Sequence, residues 1–193
     1  MLKRYLRALT SGDDSLAEWA AAGIGLLPEE QHAAAVSALQ ALLEDPAEDR
    51  RWWALRALSE IQADNVPPLL ITALQDPSPE VRQCAALALR MQRAVQALPA
   101  LLEALQDPDP LTALLAAEAL AALGEPAVAP LLELVTHSPQ AVRLLAIRAL
   151  AEIRDPQTIP ALFAALDDES MLIEYWANEG LERLGVGMAF FKP

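Results

Sequence analysis

The chain has 193 residues, 54% of them apolar but only 5% aromatic, and a net charge of −13. That acidity argues against sequence-independent binding to nucleic acid, which needs Lys and Arg to displace counterions, and favours a basic partner surface. No apolar run approaches the ~18 uncharged residues of a membrane helix. Lys3, Arg4 and Arg7 also break up the N-terminal apolar stretch, so a secretion signal is not expected and the cytoplasm is the expected compartment.

Residues 2–10 read as a short helix with Leu2, Leu6 and Leu9 on one face, a leftover second helix that closes the N-terminal end (1–13). Residues 14–44 form the first full unit, with Trp19, Ile24 and Leu27 at core positions. Its Gly23–Pro28 segment looks superficially like a dinucleotide loop. No strand precedes it and Pro28 stands in place of the third glycine, so a helix end and turn is the expectation. Pro28-Glu29-Glu30 then opens a helix whose first turn favours acids.

From Asp45 the pattern becomes periodic. Asp45, Asp76 and Asp107 are 31 residues apart; His137 follows after 30 and Asp168 after 31 more. Pro68, Pro99, Pro130 and Pro160 each lie 23 residues after their own start residue. A fixed period of this length signals a repeat architecture. The units are 14–44, 45–75, 76–106, 107–136 and 137–167, with a closing helix and tail over 168–193. Within 76–106, Val81, Cys84, Ala85, Ala88 and Leu89 mark one face of a first helix, and Leu98, Leu101, Leu102, Ala104 and Leu105 one face of a second. The start Asp suits a cap, and Pro99 suits a first helical turn. No window alternates as a half-buried strand would, so an all-α chain of about twelve helices is expected.

The Val81-Arg82 and Ala85-Ala86-x-Ala88-Leu89 pattern, repeated closely at Val142-Arg143 and Ala146-Ile147-x-Ala149-Leu150, resembles the short HEAT-like repeats found in bilin lyases and related bacterial proteins. The likeness covers roughly residues 14–184. It implies a right-handed α-solenoid forming one repeat domain over 1–193, in which a start Asp and an Arg from neighbouring units pair. Members that bind DNA present a basic concave face, and this sequence offers no comparable cluster.

Chemistry of a catalytic kind is not evident. His32 and His137 lie far apart and neither is followed by Glu, which excludes an H-E-x-x-H zinc motif and the His-Glu pairs of HEAT-like iron hydroxylases. There is no P-loop, no nucleophile elbow and no Cys–His pair at metal spacing; no metal or other cofactor is expected. Cys84 reads as a small buried hydrophobe, since a reactive thiol needs a nearby cation and solvent access.

The expected function is a non-catalytic scaffold that docks another protein on a concave face lined by the second helices. Positions outside the core pattern there are Thr72, Gln75, Glu103, Gln106 and Glu133, with Thr136, Ala164 and Asp167, a polar to acidic strip without Arg. Trp52 and Tyr175, each one residue before a core position, serve either inter-repeat packing or partner anchoring. The protein is expected to be a monomer or weak homodimer. The alternative is a bilin lyase subunit or tetrapyrrole-handling protein, implied by the resemblance alone. The last unit departs from the pattern, with Asn178 and Gly180 at core positions and Glu174 at the recurring Arg position. Its tail, with Val186, Met188, Phe190 and Phe191, is expected to fold back onto Leu172, Trp176 or Leu181 as a cap.

Overall fold

A computed structural model describes residues 1–186. Those residues hold twelve α-helices and two 3-10 turns, with no strand. The all-helical expectation is met. The chain falls into two compact units, Met1–Ala97 and Leu98–Pro193.

The first unit contains α1 (Leu2–Leu9), α2 (Asp14–Gly25), α3 (Glu29–Leu42), α4 (Glu48–Leu58), α5 (Val66–Ala73), α6 (Pro79–Gln92) and a 3-10 turn (Val95–Ala97). Helices α2, α4 and α6 pack side by side in one layer, while α3 packs on α4 and α5 on α6. Helix α1 packs on α2 in the same relation, as a leftover second helix should. The contact faces are rich in alanine: Ala17, Ala20, Ala21, Ala54, Ala57, Ala85 and Ala88 are all buried. Small side chains let the helices approach closely while Ile24, Leu55, Leu58 and Leu89 fill the space between them.

The second unit contains α7 (Leu98–Ala104), α8 (Pro110–Leu123), α9 (Glu125–His137), α10 (Gln140–Ile153), a 3-10 turn (Pro156–Thr158), α11 (Ile159–Ala165) and α12 (Met171–Arg183). Helices α8, α10 and α12 form the layer; α7 packs on α8, α9 on α10 and α11 on α12. The last core is built of Ile147, Leu162, Ala165, Ile173, Ala177 and Leu181, with Trp176 and Val186 packed against it. Val186 packs against this core, its N–H closing the end of α12 on Leu181 O at 3.0 Å. Met188, Phe190 and Phe191 lie outside the described residues.

Two expectations are corrected. Trp19 is not in the core but 43% exposed, because the buried stripe of α2 is Ala17, Ala20, Ala21 and Ile24. The Trp19 ring lies on the rim, edge-on to Tyr5 at 4.9 Å, with the Arg4 guanidinium 5.1 Å above it. The start Asp is not the helix cap. Ser78 caps α6 and Asp109 caps α8, while Asp76 and Asp107 sit two residues earlier and accept the N–H of Ser78 and Asp109 in tight Asx turns. Pro130 lies inside α9, which starts earlier than its counterparts, at Glu125 just after the Gly124 turn.

Candidate docking surface

The turns between repeats position the surface. Arg51 reaches from α4 to the start of the next repeat, where Nε donates to Asp76 Oδ2 and Nη2 to Asp76 Oδ1, both at 2.8 Å. Its Nη1 donates back to the carbonyls of Asp45 and Pro46. Arg143 pairs likewise with Asp168, at 2.5 Å. Arg82 donates to the carbonyls of Asp76 and Pro77. Arg51 and Arg82 thus hold the start of their own repeats, and Arg51 and Arg143 bind the Asp of the next. Burial favours the neutral form of Asp76, but the Arg51 fork, the Ser78 N–H and the charges of Arg51 and Arg82 outweigh it and hold the carboxyl below its ordinary range.

Beside the Arg51–Asp76 fork lies an open cleft of about 550 Å³ between α3 and α5. Leu43, Leu69, Ala73 and Val81 supply its apolar lining; Gln40, Glu44, Asp45, Thr72, Gln75 and Asp76 supply the polar one. Arg51 is the one cation in its lining, and its guanidinium is committed to Asp76 and the turn carbonyls. Asp45 is paired in turn with Arg50 at 3.0 Å, so the exposed Glu44 is the lining carboxylate without an ion pair among the described residues. The cleft is mildly acidic and partly apolar, fitted to a cationic side chain with an aliphatic stem.

Of the residues singled out in the sequence, Thr72 and Gln75 come together in this cleft and both are exposed. Thr72 Oγ1 donates to Pro68 O at 3.0 Å, so its methyl is the freer part. Glu103, Gln106 and Glu133 are exposed in the second unit, as are Thr136, Ala164 and Asp167. Trp52 and Tyr175 belong to first helices and are not part of the cleft. Trp52 is half-buried and edge-on to Trp53 at 4.7 Å, and its carbonyl lies 3.8 Å from Cys84 Sγ. Tyr175 is 54% exposed and edge-on to Trp176 at 5.5 Å. Sequence reasoning missed Gln40, Glu44 and Leu69. Gln40 lies in the last turn of α3 and Glu44 in the turn that follows it, where no helical spacing marks the pair.

The second helices share one property along the sequence. Helices α3, α5, α7, α9 and α11 contain no Lys or Arg, while Glu29, Glu30, Glu103, Glu125 and Glu133 lie on them. Among the described residues, no three His, Cys, Asp or Glu side chains gather as metal ligands, and no helix is long and apolar enough to cross a membrane.

The family described as HEAT repeats matches residues 2–90, 66–139 and 128–187. No curated protein matches the chain. Among solved structures, the complex of CpcE and CpcF of phycocyanin lyase from Nostoc sp. PCC7120 is similar at 27% identity, over 96% of this chain and 77% of that one, with a TM-score of 0.58. An engineered protein of the Northeast Structural Genomics Consortium, target OR366, is similar at 25% identity, over 96% and 99%, with a TM-score of 0.57. A designed armadillo repeat protein in complex with the peptide (KR)4 shares the fold at 22% identity, over 95% and 99%, with a TM-score of 0.56. The fold is an all-α solenoid of helix pairs.

Proposed function

The chain belongs to the HEAT-repeat family, and we propose that it is a non-catalytic scaffold that docks a basic segment of a partner protein along its second helices. The observation that carries this reading is the lack of Lys and Arg on α3, α5, α7, α9 and α11, together with the cleft at Thr72 and Gln75 that Glu44 lines. Such a surface attracts cations and repels anions, and it sets partner choice and encounter rate more than raw affinity. The reading includes Glu103, Gln106 and Glu133 as further contacts, and Trp52 and Tyr175 as aromatic anchors. It takes the protein as a single repeat domain that acts in the cytoplasm without a cofactor, as a monomer or weak homodimer. Affinity capture from the source cell with mass spectrometry identifies the partner. A Thr72→Arg/Gln75→Arg variant that is as stable as the parent should then lose it. Retention of the partner at parental affinity would overturn the assignment of this cleft.

A second reading, a tetrapyrrole-handling protein, is favoured by the likeness to the phycocyanin lyase complex. Tetrapyrrole propionates seek cationic partners, and the second helices offer none. Mixing the protein with bilins and recording the visible spectrum separates the two readings. A shifted, intensified band would establish the second.

A further inference from the structure

We propose that copies of this chain associate head to tail, with the basic face of α1 in one copy seated on the acidic and apolar face of α12 in the next. This goes beyond the scaffold reading: it uses neither the cleft nor the second helices α3 to α11, it gives Tyr175 to a contact between copies instead of to the partner, and it replaces a monomer or weak homodimer with larger assemblies at low salt.

The first surface is a local reversal of charge. Residues 1–12 carry Lys3, Arg4 and Arg7 and no acid, in a chain of net charge −13. All three cations are exposed, because Leu2, Tyr5, Leu6 and Leu9 turn inward. Among the described residues Lys3 and Arg7 have no carboxylate partner, and Arg4 lies over the Trp19 ring. Apolar surface surrounds them: Trp19 is 43% and Leu16 48% exposed. A short helix that is basic on its outer side and bordered by an exposed tryptophan presents cations and an apolar contact together.

The second surface has the opposite sign. On α12, Met171, Leu172 and Tyr175 are all more than half exposed. Tyr175 and Leu172 share a face at a spacing of three, Met171 and Tyr175 at a spacing of four, and Glu182 continues that stripe. Glu169, Glu174 and Glu182 are exposed around it. In α10 the residue at the repeat position of Tyr175 is Leu144, which is partly buried against the core under α12. In α10 this position serves stacking on the next helix, and on α12 it is exposed among the described residues. Glu174 sits where other repeats carry Arg51, Arg82 and Arg143, so the sign of this end is changed at a recurring position.

Opposite charges on two different patches give a heterologous contact, which continues from copy to copy into rings or open chains. It must weaken with salt, because these charges are exposed. The full-length protein should show a weight-average mass in sedimentation equilibrium that rises past twice the monomer mass with concentration at ~20 mM salt and returns to the monomer at ~0.5 M. A Lys3→Glu/Arg7→Glu variant and a Glu174→Lys/Glu182→Lys variant should each stay monomeric, with helical circular dichroism unchanged. An equimolar mixture of the two should associate again, since each supplies the complement of the other. A parent that is monomeric throughout would overturn the proposal and leave both faces to a different partner. So would association that grows with salt, or association that survives both charge reversals. Association that appears only once residues 187–193 are removed would also overturn it, by making that segment the occupant of the α12 face.

Discussion

Arg51 and Asp76, 25 residues apart in sequence, meet through two parallel N–H···O bonds of 2.8 Å, and each side chain keeps only 11% of its surface exposed. Removing Asp76 would strip the two-point partner from a half-buried guanidinium and also open the Asx turn that feeds the Ser78 cap. Asp76→Ala should therefore cost about 2–3 kcal/mol in urea unfolding, more than the ~1 kcal/mol of a lost cap. The effect should depend on pH. The Asp76 carboxyl is held below its ordinary 3.8, so the unfolded chain binds this proton more readily than the folded one. Its contribution is complete above the ordinary value and fades as pH falls through the lowered one. The stability gap between parent and Asp76→Ala should be constant near neutrality and shrink below a pH of about 4.

Gly180 is a close approach of α12 to α10 and α11. A Cβ there would lie 2.8 Å from Leu162 Cδ1, 2.9 Å from Ala151 Cβ and 3.0 Å from Ala151 Cα. The last contact is backbone, so the helices must move apart. Gly180→Ala should destabilise by about 1–3 kcal/mol despite its better helix propensity, measured by thermal unfolding; an unchanged or raised Tm would contradict this packing.

Arg93, Gly124 and Arg154 occupy one repeat position at the ends of α6, α8 and α10, and all three have positive φ, of 48°, 74° and 57°. Left-handed backbone costs a residue with a Cβ roughly 1–2 kcal/mol, part of which glycine recovers. Arg154→Gly is exposed and should raise stability by about 0.5–1 kcal/mol in denaturant titration.

Cys84 is buried at 6% exposure, and burial pushes its thiol up to about 12 against the small opposing charge of Arg56. At pH 8 it is almost wholly protonated and shielded. A thiol reagent should label the folded protein very slowly and the urea-unfolded chain at the rate of a free cysteine. Rapid native labelling would show that the α4–α6 contact opens.

Much of this was legible because repetition multiplies weak signals. One Asp-Pro pair says little, but a ladder of start residues and a second ladder of prolines agree in register. The buried Cys84 followed from that register, and the Asp–Arg pairs from the resemblance to HEAT-like repeats. The Trp19 error arose because apolar spacing marks a stripe without its width: four small or aliphatic residues fill the α2 contact, and the indole is displaced to the rim under Tyr5 and Arg4. The role of Asp76 was legible only in part, since Asp, Pro and Ser in succession offer two caps and only backbone geometry selects Ser78. The cleft was half visible. Thr72 and Gln75 stand out of the α5 pattern, whereas Glu44 joins them only through the packing of successive repeats.

The second helices α5, α7 and α11 are only eight, seven and seven residues long. Helices of that length do not persist alone in water, because nucleation is not recovered over so few turns. They exist only while docked on the first-helix layer. A partner held along them binds a surface that the unfolded chain lacks, so it acts as a folding ligand, and saturating it at ~100 times its Kd adds about 2.7 kcal/mol. The lifetime of this protein against proteases should accordingly track the abundance of whatever it holds.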